Sequence, residues 1–393
     1  MAGGSFNRIT GVKIIGSEGE NPIVLVLRTP RNAWDSRPDR EVATLEYIRH
    51  HTAIPVPQIK AFDFSEENPL KGPYVVQNRI PGLSFETAIR NGISHKQWCT
   101  MAKEIGLLLL ELQKIKNPAP GLIEASTKDD GVQAFTVCPF DIRHPFDLEW
   151  KVKQATSKTL EADNEKLQYW YEKDTFHFFA SQFGGWRAEE LQSSPISILW
   201  NDQMHRLTDV VSAMNRLGIF DKNHNCLTHM DLAPRNIMVE TGPDDFIKIT
   251  AILDWDGTFF APKFVSCRPP WWLWQDEQFP EDAMAEETNA DVKPKDPELL
   301  EVKSLFEATV GDEYIRFAYQ PQYGLARRLF QIALYGNYSS WSVNEIKKIL
   351  DDWEDLYKVG FENNESRSDP ASPKSVALED GNDSQGELES QVH

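Results

Sequence analysis

The stretch THMDLAPRNIMVE, from Thr228 to Glu240, followed by ILDWDG from Ile252 to Gly257, decides how this chain is read. It sets out His229, Asp231, Asn236 and Asp254 as His-x-Asp, then Asn five residues after the Asp, then a further Asp. Phosphoryl transfer needs this set of groups: a carboxylate to take the proton of an attacking hydroxyl, and an amide oxygen with a second carboxylate to hold Mg2+ against phosphate. Hard oxygen donors suit Mg2+. Asp231 is the candidate base and Asn236 and Asp254 are the candidate metal ligands. His229 is expected to brace the loop. The bland alternative, a polar loop with Asp231 and Asn236 as turn formers, accounts for a lone His-x-Asp. It does not account for the whole ordered set, with strand signals after Asn236 and before Asp254.

Working outward, Ile237 to Val239 and Ile247 to Leu253 read as short strands around a TGPDD turn. Asp202 to Leu217 reads as the helix leading into the loop. Upstream, Val12 to Ile15 and Ile23 to Leu27 are β-branched or aliphatic runs separated by GSEGEN, a hairpin connection. Val24, Val26 and Arg28 share one face of the second run. A helix is expected from about Arg37 to His51, with IPVP ending it, and a strand from Tyr74 to Ile80 broken by Pro81-Gly82, the candidate hinge. Ser94 with Gln97 is a capping-box pattern opening a helix to about Ile115.

From Asn117 to Trp200 the order of elements is not readable, beyond helical patches around Leu160 to Phe179. Asn344 to Val359 carries an apolar stripe of Ile346, Ile349, Leu350 and Trp353 that fits core packing. The acidic stretch Asp276 to Glu298 reads as a solvated loop near the acceptor site. The tail from Glu362 to His393 is expected to be disordered. The resulting division is a nucleotide-binding lobe over 1–80, a catalytic and substrate lobe over 81–361 and an acidic tail over 362–393.

Phosphates also need a cation, and Arg28 with Glu41 on the following helix is the natural pair; Glu46 competes for the same role. Gly3-Gly4-Ser5 is either a phosphate-covering turn or an unstructured N-terminus.

A net charge of -19 without a basic stripe argues against nucleic acid or an anionic membrane as partner. Four cysteines without a CxxC pair argue against a zinc site or disulfide scaffold. With no apolar signal core at the start of the chain and no run long enough to span a bilayer, they make a cytoplasmic protein the expectation. The oligomeric state stays open.

These residues carry a resemblance. GGSFNRI, VLVLR, REVATLEYIRHHTAIPVP, PYVVQNRIPG, LTHMDLAPRNIMV, ILDWDG and RPPWWLW together resemble the aminoglycoside phosphotransferase and choline kinase-like branch of the protein-kinase fold, as found in filamentous fungi. The resemblance implies an α+β, two-lobed fold with a small β-rich N-lobe and a larger, mainly helical C-lobe. It implies ATP and Mg2+ as cofactors and a small hydroxylated molecule as acceptor. It puts the base on Asp231, the metal on Asn236 and Asp254, and the adenine against the backbone of Gln77, Asn78 and Arg79.

Three features depart from the family pattern. Arg28 stands where the family has Lys, the glycine turn begins at residue 3, and no DFG or APE element is present, which disfavours protein substrates. The first two support a second reading, a catalytically impaired pseudokinase that binds nucleotide or a partner. A hydrolase using Asp231 and Asp254 would leave Asn236, Arg28 and Glu41 without roles.

Overall fold

Aliphatic runs near the N-terminus pair as the alternation requires. In this computed structural model, which describes residues 7–15, 21–31, 37–127, 133–140, 174–193, 202–220, 224–275, 291–336 and 339–360, strand β1 (Asn7–Ile14) lies antiparallel to β2 (Ile23–Pro30), with Asn7 opposite Pro30. The other edge of β2 takes β4 (Tyr74–Asn78), and β3 (Ile59–Asp63) completes a sheet of order β1-β2-β4-β3. Helix α1 (Pro38–His51) starts on a proline, whose missing N–H costs nothing in a first turn. Asp39 and Glu41 near its start and Arg49, His50 and His51 at its end complement the helix dipole. Val42, Leu45 and Ile48 form its buried stripe.

Pro81-Gly82 lies between β4 and the next short strand. Gly82 has φ 92°, and a Cβ there would sit 2.2 Å from the Val239 carbonyl oxygen. Only glycine fits, because the next residues, β5 (Leu83–Ser84), pair with the strand that follows the His-x-Asp loop.

The larger lobe is helical around short strands. Helix α2 (Phe85–Arg90) is capped by Ser84, and α3 (His95–Lys114) opens with both halves of the Ser94–Gln97 capping box. Strands β6 (Lys116–Asn117) and β12 (Thr258–Pro262) flank β9 (Asn225–His229), while β10 (Ile237–Thr241) lies between β5 and β11 (Ile247–Ile252). Strands β7 (Leu122–Thr127) and β8 (Gln133–Cys138) form a separate antiparallel pair. Helices α4 (Thr175–Ser193), α5 (Gln203–Arg216), α6 (Lys263–Ser266), α7 (Pro297–Tyr319), α8 (Pro321–Tyr335) and α9 (Ser340–Gly360) make up the rest. Phe178, Phe179, Phe260, Phe264 and Phe330 are fully buried at the centre, where truncating one such ring costs about 3–5 kcal/mol. Chain contacts group Met1–Trp353 in one compact unit and Glu354–His393 in another.

Several expectations need correction. The first strand begins at Asn7, five residues before Val12. Strands β3, β7 and β8 fall in stretches not read as strand. Glu298 is not in a loop but in the first turn of α7, behind the N-cap Asp296. The remainder of the acidic stretch over 276–290, the helical reading over 160–173 and the tail over 362–393 lie outside the described residues, as do Gly3, Gly4 and Ser5. No described helix is long and apolar enough to cross a membrane.

Candidate active site

Strand β9 is buried along its whole length and delivers His229 at its end. The His229 ring is locked from both sides: Nε2 lies 2.9 Å from the Leu253 carbonyl oxygen and Nδ1 accepts from the Asp231 backbone N–H at 3.2 Å. Those contacts fix the neutral tautomer with its proton on Nε2. Burial lowers the His229 pKa, against the upward pull of the Leu253 carbonyl and Asp231. Trp255 packs edge-on against the ring at 4.7 Å, and its indole N–H donates to the Ile252 carbonyl at 2.8 Å.

Asp231 leaves the strand on a turn stabilised by Asn236. The Asn236 amide nitrogen donates to the Asp231 backbone oxygen and to its carboxylate, each at 2.8 Å, which leaves the amide oxygen uncommitted to that loop. A 3-10 turn over Pro234–Asn236 sets this spacing. Arg235, four residues after Asp231, places one guanidinium nitrogen 2.5 and 2.7 Å from the two carboxylate oxygens. The Leu253 N–H donates to the Asn236 carbonyl at 2.8 Å, tying the His-x-Asp loop to the end of β11.

Asp254 follows at φ 64°, a left-handed conformation rare for a non-glycine residue and concentrated at functional sites. Its half-exposed carboxylate lies 3.7 Å from Arg28. Arg28 is buried on β2 and pairs with Glu41 at 2.7 Å, so the expected cation–carboxylate pair exists. Glu46 is not the partner; it holds Arg49 at 2.7 Å. The second terminal nitrogen of Arg28 faces Asp256 at 3.4 Å, and Asn7 donates to the same Asp256 oxygen at 3.1 Å.

Three carboxylates therefore converge on one guanidinium. Burial alone would lower the Arg28 pKa, but Glu41, Asp256 and Asp254 together raise it. Burial pushes Glu41 upward and Asp256 and Asp254 add to the rise, against Arg28. Asp254 is raised by burial first and by Asp256 next. The site thus holds more negative charge than its own cations offset, and oxygen donors in that condition fit a divalent metal.

The segment expected at the adenine is Gln77 to Arg79, at the end of β4. The Asn78 and Arg79 backbone N–H groups are spent on the carbonyls of Gln58 at 3.0 Å and Val24 at 3.2 Å, and the Asn78 side-chain oxygen accepts from Gln58 N–H. Those two donors belong to the sheet. The buried Gln77 instead has a side-chain oxygen with no hydrogen-bond partner, an acceptor suited to an amino group entering from outside.

Beside Asp231 a cavity of about 100 Å3 is lined by Met230, Leu232, Arg268, Pro270, Trp271 and Trp272. Trp272 donates its indole N–H to the Leu232 carbonyl at 3.2 Å, and Tyr314 donates to the Arg268 carbonyl at 2.8 Å. RPPWWLW thereby props the His-x-Asp loop from behind. Sequence reasoning gave no role to these residues, nor to Asn7 or Arg235. Arg235 was the one with a local signal, its four-residue distance from Asp231.

A buried strand-end His, an Asp–Asn loop and a post-strand Asp, set below a sheet that offers an Arg–Glu pair, define a small-molecule phosphotransferase of the two-lobed, kinase-like fold. The chain belongs to the phosphotransferase enzyme family, whose model matches residues 12–262, more than half of its length. No curated protein sequence matches it. Among solved structures it is similar to ADP-bound aminoglycoside phosphotransferase APH(2'')-Ib, at 11% identity and TM-score 0.41, covering 88% of this chain and 93% of that one. It is also similar to the apo form of a thermostable mutant of APH(4)-Ia, at 12% identity and TM-score 0.40, covering 89% and 92%.

Proposed function

We propose that this phosphotransferase moves the γ-phosphoryl group of ATP to a hydroxyl of a small molecule with the help of Mg2+. When bound, Mg2+ supplies charge neutralisation to the phosphate oxygens. Asp231 orients the acceptor hydroxyl and takes its proton as the oxygen attacks phosphorus. Arg235 pairs with that carboxylate and fixes its orientation. His229 positions the loop through Leu253 and takes no proton. Asn236 and Asp254 offer the metal an amide oxygen and a carboxylate, while Arg28, fixed by Glu41, faces the phosphates. Gln77 receives the adenine with the neighbouring backbone of Asn78 and Arg79, and Gly3, Gly4 and Ser5 cover the phosphates. The nucleotide lobe ends near residue 80. A cytoplasmic setting accords with four free thiols.

The observation that carries this reading is the Asn236 amide, whose nitrogen is committed to Asp231 so that its oxygen is free for a cation. The test is MgATP consumption by wild type and Asp231→Asn across a panel of hydroxylated metabolites. Turnover with one of them that falls at least a thousandfold in the variant supports the reading. MgATP binding without turnover across the panel overturns it.

One observation favours the pseudokinase alternative. Arg28 already lies against Asp254 and Asp256, where a metal must compete with it. Saturable Mg2+-independent ATP binding would decide for that alternative.

A further inference from the structure

Away from the phosphoryl-transfer residues, the starts of α3 and α7 bring together groups of a different chemistry. His95 and Cys99 are four residues apart on α3 and so share one helix face. Glu298 and Glu301, three apart on α7, face them. His95 Nε2 lies 3.4 Å from the Cys99 sulfur and 3.0 Å from a Glu301 carboxylate oxygen. One ligand atom from each of the three lies within 4.8 Å of the others. Ligands about 2.0–2.3 Å from a tetrahedral Zn2+ are separated from one another by roughly 3.4–3.6 Å, so the observed spacings are close to those of one coordination sphere.

The other nitrogen of the same ring points the same way. His95 Nδ1 faces a Glu298 carboxylate oxygen at 3.8 Å, longer than a hydrogen bond but on the side from which a carboxylate orients a metal-bound imidazole. The two helices meet on a close-packed seam: a Cβ on Gly106 would come within 2.9 Å of Thr309. The ligands therefore stand on two rigid elements in fixed relation. Cys99 is half-buried and Glu301 is exposed, which leaves an entry path.

We propose that His95, Cys99 and Glu301 form a transition-metal site, suited by ligand type to Zn2+, that staples the start of α3 to the start of α7. Imidazole and thiolate select Zn2+ over the Mg2+ of phosphoryl transfer, because Mg2+ takes hard oxygen donors. Binding replaces the Cys99 S–H bond with a metal–sulfur bond and releases the thiol proton to solvent. The cysteine pattern gave no hint of this, since the partner of Cys99 is a histidine one helical turn before it.

The test is a Co2+ titration of the full chain, reduced with a phosphine and freed of metal. One equivalent is expected to produce a thiolate-to-cobalt charge-transfer band that Zn2+ bleaches and MgATP does not. Cys99→Ser should abolish the band and Cys138→Ser should leave it intact. Glu301→Gln and His95→Ala should weaken binding at least tenfold, and Glu298→Gln about tenfold. Zn2+ should raise the Tm of wild type but not of Cys99→Ser. Absence of the band in wild type, its survival in Cys99→Ser, or its loss in Cys138→Ser overturns the proposal. None of these readouts depends on catalysis.

Discussion

The Asn236 amide nitrogen sits 2.8 Å from the Asp231 carboxylate, so the candidate metal ligand and the candidate base are joined by a direct hydrogen bond. Asn236→Ala removes both the oxygen offered to metal and the hold on Asp231. Turnover is expected to fall by at least a hundredfold, about 2.7 kcal/mol in the barrier. Raising Mg2+ should recover little of the loss, because the base is misplaced too. A variant whose activity returns fully at high Mg2+ would show that Asn236 acts on the metal alone.

Arg28 and Glu41 are both buried, so deleting one leaves the other without its partner. Arg28→Ala is expected to destabilise by about 3–5 kcal/mol, the cost of breaking a buried pair from one side. Arg28→Lys keeps the charge toward Glu41 but gives up the fork that also reaches Asp254 and Asp256. It should fold near wild type and bind Mg2+ more tightly. Chemical denaturation and Mg2+-dependent turnover measure the two effects separately.

His229 makes stability depend on pH in a known direction. Burial holds its folded pKa below the ordinary value of about 6.5, so the unfolded chain takes up this proton first. The stabilisation is complete above about pH 6.5 and is lost as pH falls through the folded pKa, at no more than about 1.4 kcal/mol per pH unit. In His229→Asn that slope should vanish while the slopes from carboxylates persist. Unfolding free energies from pH 8 down to pH 5 check this.

Gly82→Ala should be severely destabilising. The residue needs a positive φ, and the new methyl would meet the Val239 carbonyl, so more than about 1 kcal/mol is expected. Because β5 pairs with β10 at that place, the damage should reach the His-x-Asp loop and lower turnover in the molecules that remain folded.

Trp272→Phe keeps an aromatic ring, though a smaller one, and loses the hydrogen bond to the Leu232 carbonyl. Stability should change by about 1 kcal/mol, while kcat falls several-fold with KM for ATP nearly unchanged. Equal loss in kcat and in ATP affinity would mean that the indole supports the whole lobe and not the loop.

What could be read from the sequence was what is written locally. Ser94 and Gln97 announced α3 because a capping box is complete within four residues, and the Val42, Leu45 and Ile48 spacing announced α1. Strand β3 escaped because it shows no apolar alternation: Lys60, Ala61 and Phe62 are all exposed. Strand β12, TFFAP, is buried throughout, and such a run has no period to detect. At the site, Asp231, Asn236 and Asp254 stood in one short stretch. Asn7 and Asp256 meet across 249 residues, and no spacing rule reaches that far. That the Asn78 and Arg79 N–H groups pair with the Gln58 and Val24 carbonyls was not legible either, because register, not residue type, decides which backbone groups a sheet consumes.

The bond from Leu253 N–H to the Asn236 carbonyl, with the His229 ring closing on the Leu253 carbonyl from the other side, has a consequence for how this protein can vary. The two loops cannot drift apart. Substitutions at His229 and Asn236, whose side chains both hold Asp231, should be non-additive, each second change costing less than it does alone. In a library of random variants, tolerated changes at these positions would be inherited as sets, a single locus written in two places along the chain.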